Sequence, residues 1–290
     1  MQTTIEQLYS RLISAFGIDD LNIPLTAVKF YRQNENIPNI VMDNHPDEIT
    51  LTSCQSAKQA ALGDAVCLTR NNIGCIAAAI TLGLINQNED KPFTGSRVYT
   101  DIMKDQSGLN DNFIPPSPKD FTDGIVYACR NSGRLDFCLF GKEDAGRFKD
   151  VRTAKHAVQD MMAIQPAIMK AVFFYSQHFT DLDIIPDIII LSVRPVELSR
   201  IAQAYQFSTG KRVTASIGAV RVVNSDLIVR PYLTQDINVS TYCVGARLIA
   251  QFGPDKMGIG MPFFIFEELV QAMEDSKTGY PFYMYPGASE

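Results

Sequence analysis

The sequence contains no tryptophan and only three histidines, and it lacks the local motifs of several large protein classes. No GxxxxGK[ST] phosphate loop occurs, and no strand-like run is followed by GxGxxG, which argues against nucleotide-binding loops of these two kinds. No two cysteines have CxxC spacing, and the histidines (His45, His156 and His178) form no pair at helical metal-binding spacing. Any metal or catalytic site must therefore be assembled from residues distant in sequence.

An excess of positive charge and long apolar runs are also missing. The 26 Lys and Arg residues are outnumbered by 32 Asp and Glu, which gives a net charge of −6 and a pI near 5.2. A nucleic-acid-binding protein normally has a basic face. No run reaches the roughly 20 apolar residues of a membrane-spanning helix, and MQTTIEQLYS has neither the basic head nor the apolar core of a secretory signal. We therefore expect a cytoplasmic protein that binds neither nucleic acid nor membranes.

The chain has 290 residues, of which 46% are hydrophobic, so it is long enough to form one large or two medium globular domains. Disulfides are rare in the cytosol, so its six cysteines are expected to be free thiols or metal ligands. A homodimer is the default expectation, since twofold dimers are the commonest soluble oligomers. The sequence identifies no redox partner or small-molecule partner, and it does not decide whether the protein is an enzyme.

The stretch 53–84 holds half of the cysteines, namely Cys54, Cys67 and Cys75. Its composition predicts a helix over 55–62 that ends at Gly63, a short buried strand over 65–69, and a second helix after Cys75.

Cys75 would then lie at a helix N-terminus, where the macrodipole lowers the pKa of a thiol. This position suits a nucleophile, but the nearest histidine in sequence, His45, lies in a polar loop and is expected to be solvated.

Sparse identities link the two halves of the chain. A shift of 144 residues places Gln59-Ala60 on Gln203-Ala204 and Ile73-Gly74 on Ile217-Gly218, and Gly-x-Arg occurs at 95–97 and 245–247. We interpret this as an internal duplication. The predicted fold is α/β, with α+β as the alternative. It would consist of two related βαβ-type halves, residues 1–123 and 124–290, joined by a Pro-rich connection and packed into one globular unit.

Further elements follow from apolar periodicity and turn residues. The run at 184–193 is the clearest buried strand and is typical of a central parallel strand. Helices are predicted over 3–16, 152–164, 166–176, from Pro195, and over 264–273. Strands are predicted over 26–31, 212–216 and 226–233, the last at a sheet edge, and a hairpin over 125–140 that contains Cys129 and Cys138.

Three stretches carry a resemblance to a known family. They are CQSAKQAALGDAV…GCIAAAITLGL, PDIIILSVRPVELSRIAQAY and CVGARLIAQF…MGIGMPF. In this order they resemble the domain-of-unknown-function family numbered 169, prokaryotic proteins common in anaerobes and archaea, from about residue 24 to 269. That family has no settled activity. The resemblance implies that Cys54, Cys75 and Cys243 belong together; a diglycine often follows the second cysteine, where this chain has Ile76-Ala77-Ala78.

The three cysteines give the leading hypothesis for function. Three thiolates could hold an iron–sulfur cluster or another soft metal, with Cys67 as a conceivable fourth ligand, for redox chemistry or metal handling. The alternative is three unconnected core thiols, because free cysteine is among the most buried residue types.

The two Gly-x-Arg repeats give the second hypothesis, a metal-free binding module for a small anionic ligand. If the halves pack about a pseudo-twofold axis, Arg97 and Arg247 could approach one cleft and grip a carboxylate or phosphate, with Cys243 at its border. The alternative is two solvated surface arginines.

Overall fold

The computed structural model describes residues 3–46, 51–93, 95, 116–124, 148–162, 166–179 and 184–276. The strands are β1 (Thr26–Arg32), β2 (Val66–Leu68), β3 (Met169–Tyr175), β4 (Ile188–Val193), β5 (Asn238–Ser240) and β6 (Met257–Pro262). The α-helices are α1 (Ile5–Phe16), α2 (Asn39–Met42), α3 (Ser53–Ala61), α4 (Ile76–Thr81), α5 (Pro118–Thr122), α6 (Val151–Met162), α7 (Pro195–Thr209), α8 (Val222–Asn224), α9 (Arg230–Thr234), α10 (Val244–Leu248) and α11 (Phe263–Asp275). A π-helix (Ser225–Val229) separates α8 from α9.

Helices and one six-stranded sheet, in the order β2-β3-β1-β4-β6-β5, confirm the mixed α/β class. Strand β4 lies inside the sheet and is fully buried, as its apolar run predicts. Its pairings are antiparallel on both sides, with Ile189 opposite Ala27 of β1 and Met261 of β6. The predicted parallel direction is therefore wrong, because an apolar run reports burial on both faces of a sheet and not strand direction. Antiparallel pairing favours the α+β alternative for the fold class. The internal duplication of the two halves stays a prediction.

The chain divides into two compact units that interleave in sequence. Unit 1 comprises Met1–Phe30, Cys54–Val66 and Phe173–Glu290, and unit 2 comprises Tyr31–Ser53 and Cys67–Val172. The chain passes from one unit to the other four times, and none of these points is the predicted boundary at residue 123.

Helix α1 of unit 1 follows directly from its sequence. Thr4 and Gln7 form a capping box, and Gly17 ends the helix in the left-handed conformation at φ 69°. One face buries Leu8, Leu12 and Phe16 against the core. On the other face, Arg11 donates from Nε and Nη2 to the two carboxylate oxygens of Glu274 in α11, at 3.0 and 2.6 Å.

In unit 2, α4 contributes to an apolar core. Every residue of α4 is buried, from Ile76 to Thr81. Leu51 and Ile73 form an isolated parallel bridge, and the Cys67 amide donates to the Asn44 carbonyl at 2.9 Å.

Three predicted elements differ from the structure. Within the segment 166–176, Met169–Tyr175 forms strand β3 instead of a helix, and every residue of this strand except Lys170 is buried. The segment 226–233 is helical instead of an edge strand, and 212–216 has no regular structure. The hairpin predicted at 125–140 lies outside the described residues.

Two glycines of β6 allow the π-helix to pack directly on the sheet. A Cβ atom on Gly260 would lie 1.9 Å from the Leu227 carbonyl oxygen, a separation that no real Cβ tolerates. A Cβ atom on Gly258 would lie 2.4 Å from the Leu227 Cδ1 and 3.1 Å from the Tyr242 Cζ. Glycine at both positions therefore brings the π-helix and the Tyr242 ring into contact with β6.

Candidate functional site

Tyr242 is the centre of a buried group of side chains in unit 1. It follows β5 in the left-handed conformation, at φ 61°, which is uncommon for a residue with a large side chain. Its amide donates to the Ser240 hydroxyl at 3.1 Å. The ring is only 6% exposed and stacks on Phe252, with 4.4 Å between ring centroids and 19° between ring planes. The unusual backbone geometry therefore turns an aromatic side chain into the interior.

Two buried hydroxyl groups meet near the end of this ring. Neither the Tyr242 hydroxyl nor the Ser192 hydroxyl of β4 forms a hydrogen bond of ordinary geometry within the described residues. They are close enough to interact, since the serine lowers the pKa of the tyrosine. Burial has the larger effect and raises the pKa of Tyr242 above its ordinary range. Leaving a buried polar group unsatisfied costs about 1–3 kcal/mol.

Two of the three predicted cysteine ligands lie near Tyr242. Cys54 in α3 is close enough that its negative charge would raise the pKa of Tyr242, and Cys243 is the next residue in the chain. Cys243 is the N-cap residue of α10. A Cβ atom on Gly245 would lie 3.9 Å from the Cys243 Sγ and 3.4 Å from Nη1 of Arg221, a buried arginine. The Cys243 thiol and the Arg221 guanidinium therefore face the same glycine.

Arg247 stabilises the loop that surrounds this group. Its Nη1 donates to the Gly253 carbonyl at 2.6 Å, and its Nη2 donates to the carbonyls of Thr241 and Lys256 at 2.6 and 3.1 Å. Its guanidinium carbon lies 5.9 Å from the centroid of the Tyr242 ring. Three of the five guanidinium N–H groups therefore bind the backbone, which leaves two that bind no other described residue. The guanidinium is therefore half-buried and bound to the backbone of its own loop.

Lys58 belongs to the same region. Its Nζ donates to the Gln251 carbonyl at 3.0 Å and lies 5.4 Å from the centroid of the Phe252 ring. Burial lowers the pKa of Lys58. We define Lys58 and Arg247 as the Tyr242 cation cluster. Neither forms an ion pair with a carboxylate in the described part of the chain.

Comparison with protein families matches residues 20–272 to the model of the family DUF169, described as an uncharacterised ArCR. The chain belongs to this family. The match covers the cation cluster, Tyr242 and the three predicted cysteine ligands.

A curated relative of this DUF169 protein is an uncharacterized protein of Methanocaldococcus jannaschii. It is 26% identical over 129 residues, which is 44% of this chain and 54% of the relative. The chain thus matches about half the length of that protein. No solved structure is similar enough to count as a match.

Two further cysteines of this DUF169 protein, Cys67 and Cys75, lie in unit 2. Cys75 is the buried N-cap residue of α4, which confirms the predicted position at a helix start. The His45 ring contacts the Thr69 hydroxyl at 3.0 Å. Cys67 is completely buried in β2, and burial raises its pKa to about 12.

No group of three or more His, Cys, Asp or Glu side chains in the described residues could hold a metal ion. Cys54, Cys75 and Cys243 all belong to those residues, so this result covers the thiols predicted to be ligands. A metal held by these cysteines stays a prediction.

The structure describes the arginine of only one of the two Gly-x-Arg repeats. Arg247 lies in the site, whereas Arg97 lies outside the described residues, as do Cys129 and Cys138 of the predicted hairpin.

In the part of the chain that the structure describes, no helix has both the length and the apolar character needed to cross a bilayer.

Sequence reasoning identified the segment around Cys243 and Arg247 but missed most of its neighbours. Ser192 is one small residue within an apolar strand, and Lys58 resembles any polar residue of an Ala-rich helix. Tyr242 carries no sequence signal for its left-handed backbone conformation. The Gly258-x-Gly260 pair is the one sequence signal that could have located the site, because glycines within a strand indicate that another segment packs closely on it.

Proposed function

We propose that this DUF169 protein is a metal-free binding module for a small anionic ligand, held by the Tyr242 cation cluster of unit 1. The observation that carries the proposal is the placement of two cationic side chains at the stacked rings of Phe252 and Tyr242. Lys58 on α3 and Arg247 on α10 have no carboxylate partner in the described residues. The whole chain has a net charge of −6, so such a group is not a consequence of composition.

Unneutralised charge in a partly buried region is unfavourable because the surroundings solvate it less well than water does. Burial already lowers the pKa of Lys58. An anion bound beside Lys58 would offset this effect and favour its protonated form. Ligand binding is therefore expected to raise the pKa of this lysine.

The Arg247 guanidinium is the second group that would bind the anion. It retains two N–H donors after its three backbone hydrogen bonds. The stacked rings of Tyr242 and Phe252 are buried, so they support the two cations and do not face the ligand. The pairing of Arg97 with Arg247 on the same ligand stays a prediction of the sequence.

Thermal unfolding in the presence of inorganic phosphate, pyrophosphate or citrate tests this proposal. A ligand at 100 times its Kd stabilises the native state by about 2.7 kcal/mol. At least one of these anions should raise the Tm above that in sodium chloride of equal ionic strength. Lys58→Met should remove this increase, and Lys91→Met, which changes an exposed lysine of unit 2, should preserve it. An equal increase in the Lys58→Met variant would contradict the proposal.

The second candidate is a thiolate-bound metal or iron–sulfur centre for redox chemistry or metal handling. It is favoured by one observation, the placement of Cys54 and Cys243 near the same tyrosine. Anaerobic purification followed by metal analysis and a visible spectrum separates the candidates. Stoichiometric iron with a visible absorption band would support the second candidate against the first. A colourless, metal-free protein would support the first.

A further inference from the structure

Unit 1 contains a cleft whose lining includes no residue of the cation cluster. It lies beyond the end of α7, beside the end of α9 and the first turns of α11, and has a volume of about 320 Å³. Tyr205, Lys211, Asp236, Phe264, Glu268 and Leu269 are among its lining residues. Pockets for small molecules have volumes of about 300–1,000 Å³, so this cleft suits a small ligand.

One wall of the cleft is fixed by hydrogen bonds. The buried Tyr205 donates from its hydroxyl to the Asp236 Oδ1 at 2.8 Å, and the same oxygen accepts from the Ile237 amide at 2.7 Å. The Thr209 hydroxyl donates to the Tyr205 carbonyl at 2.6 Å. Burial and the bond to Asp236 raise the pKa of Tyr205 to about 12, so it remains a hydrogen-bond donor at neutral pH. Asp236 is therefore committed to holding this wall.

Two other charged side chains line the cleft and have opposite signs. Lys211 and Glu268 are both exposed, and they form no ion pair with each other or with any other residue that the structure describes. Their charged atoms are too far apart for direct contact. A ligand that carries one charge of each sign could interact with both.

The cleft also presents apolar surface. Phe264, at the start of α11, is 47% exposed, which is unusual for a side chain of this size, and Leu269 lies behind it in the core. An aromatic or aliphatic group bound in the cleft would cover the Phe264 ring. The lining thus combines a cation, an anion and an apolar wall within the volume of one small molecule.

We propose that this cleft binds a free α-amino acid with an apolar side chain. The ligand carboxylate pairs with the Lys211 ammonium, the ligand ammonium pairs with the Glu268 carboxylate, and its side chain packs against Phe264. This site is independent of the anion site proposed above, because the two share no residue.

Calorimetric titration of the full chain with L-phenylalanine tests the proposal. Two analogues serve as comparisons, namely phenethylamine, which lacks the carboxylate, and 3-phenylpropionate, which lacks the ammonium group. L-phenylalanine should bind at least about tenfold more tightly than either analogue, because each analogue loses one of the two ion pairs. A tenfold difference in Kd corresponds to about 1.4 kcal/mol per ion pair. No measurable binding of L-phenylalanine, or equal binding of all three compounds, would overturn the proposal.

Two variants test which residue binds each charged group of the ligand. Lys211→Met should abolish the preference for L-phenylalanine over phenethylamine, and Glu268→Gln should abolish its preference over 3-phenylpropionate. Both residues are exposed, so the fold should persist. Glu267→Gln, on the adjacent position of α11 and outside the lining, is the matched control and should bind as the wild type does. If Glu267→Gln weakens binding as much as Glu268→Gln, the proposed ion pair is wrong. The phosphate, pyrophosphate and citrate responses should be unchanged in all three variants.

Discussion

Arg247 connects three parts of one loop. Its guanidinium binds the carbonyls of Thr241, Gly253 and Lys256, so it determines where the residues of the cation cluster lie. A side chain that holds the backbone in this way contributes to stability as well as to the charge of the site. Substitution by Met removes both the hydrogen bonds and the charge of Arg247, whereas substitution by Lys keeps the charge.

We expect Arg247→Met to lower the free energy of unfolding by at least about 2 kcal/mol, because three carbonyls lose a charged donor. Arg247→Lys should recover only part of this loss, since one ammonium cannot reproduce the guanidinium geometry. Urea unfolding of the two variants measures both changes. A loss below about 0.5 kcal/mol for Arg247→Met would show that the three hydrogen bonds do not hold the loop.

Cys67 should be chemically inert in the folded protein. It is completely buried, and burial raises its pKa to about 12, so almost no thiolate exists at neutral pH. Iodoacetamide at pH 8, followed by mass spectrometry, should leave Cys67 unmodified in native protein and modify it in urea. Rapid native modification of Cys67 would contradict its placement in the core.

At the scale of elements, the contact between the π-helix and β6 shapes the Tyr242 site. A Cβ on Gly260 would clash with the Leu227 backbone, which cannot move as a flexible side chain could. Gly210, the C-cap of α7, offers a comparison because a Cβ there meets no atom within 4 Å, although its φ of 68° favours glycine.

Gly260→Ala should therefore destabilise the protein by roughly 3 kcal/mol or more, as expected for overpacking against fixed backbone. Gly210→Ala should cost only about 1 kcal/mol, since it introduces left-handed strain without a clash. Denaturant unfolding compares the two variants. Equal losses, or a larger loss for Gly210→Ala, would argue against direct packing of the π-helix on β6.

Local sequence features predicted some helices and strands correctly and others incorrectly. The Thr4 capping box, apolar spacing and Gly17 specify α1 without help from the rest of the chain, and the apolar run of β4 specifies a buried strand. The predictions for the segments 166–176 and 226–233 are wrong because most residues of each segment are buried. In enclosed segments, apolar periodicity no longer distinguishes helix from strand.

At the scale of the whole molecule, several side chains have a higher pKa in the folded protein than in the unfolded chain. The pKa of Cys67 rises from an ordinary value of 9.0 to about 12, and that of Tyr205 from 10.0 to about 12, mainly through burial. Burial also raises the pKa of Tyr9 and Tyr242. Above pH 9 the unfolded chain therefore loses protons that the folded chain keeps.

The stability that these groups contribute is complete below pH 9 and is lost as the pH rises towards 12. The Tm should fall progressively over this range. Tyr205→Phe should make the decrease shallower between pH 10 and 12, because one of the titrating groups is removed. Differential scanning calorimetry as a function of pH measures both effects, and a constant Tm from pH 8 to 11 would contradict the burial of these groups.

The candidate site shows why function was harder to predict than individual elements. Cys54 of α3 and Ser192 of β4 approach Tyr242 from distant parts of the sequence, and no local motif records such an arrangement. Cys243 and Arg247 marked the correct segment because glycine, cysteine and arginine occur there together. The role of Arg247 in binding three backbone carbonyls depends on a loop geometry that residue types alone do not specify.

A crystal structure of metal-free protein soaked with selenate tests the central claim most directly. Anomalous scattering from selenium locates the anion without assumptions about its contacts. The proposal predicts a selenium peak about 4 Å from the Lys58 ammonium or from a guanidinium nitrogen of Arg247, so that a selenate oxygen accepts a hydrogen bond from that group. The absence of a peak there, or an iron peak bound to Cys54 and Cys243 in anaerobically prepared crystals, would contradict it.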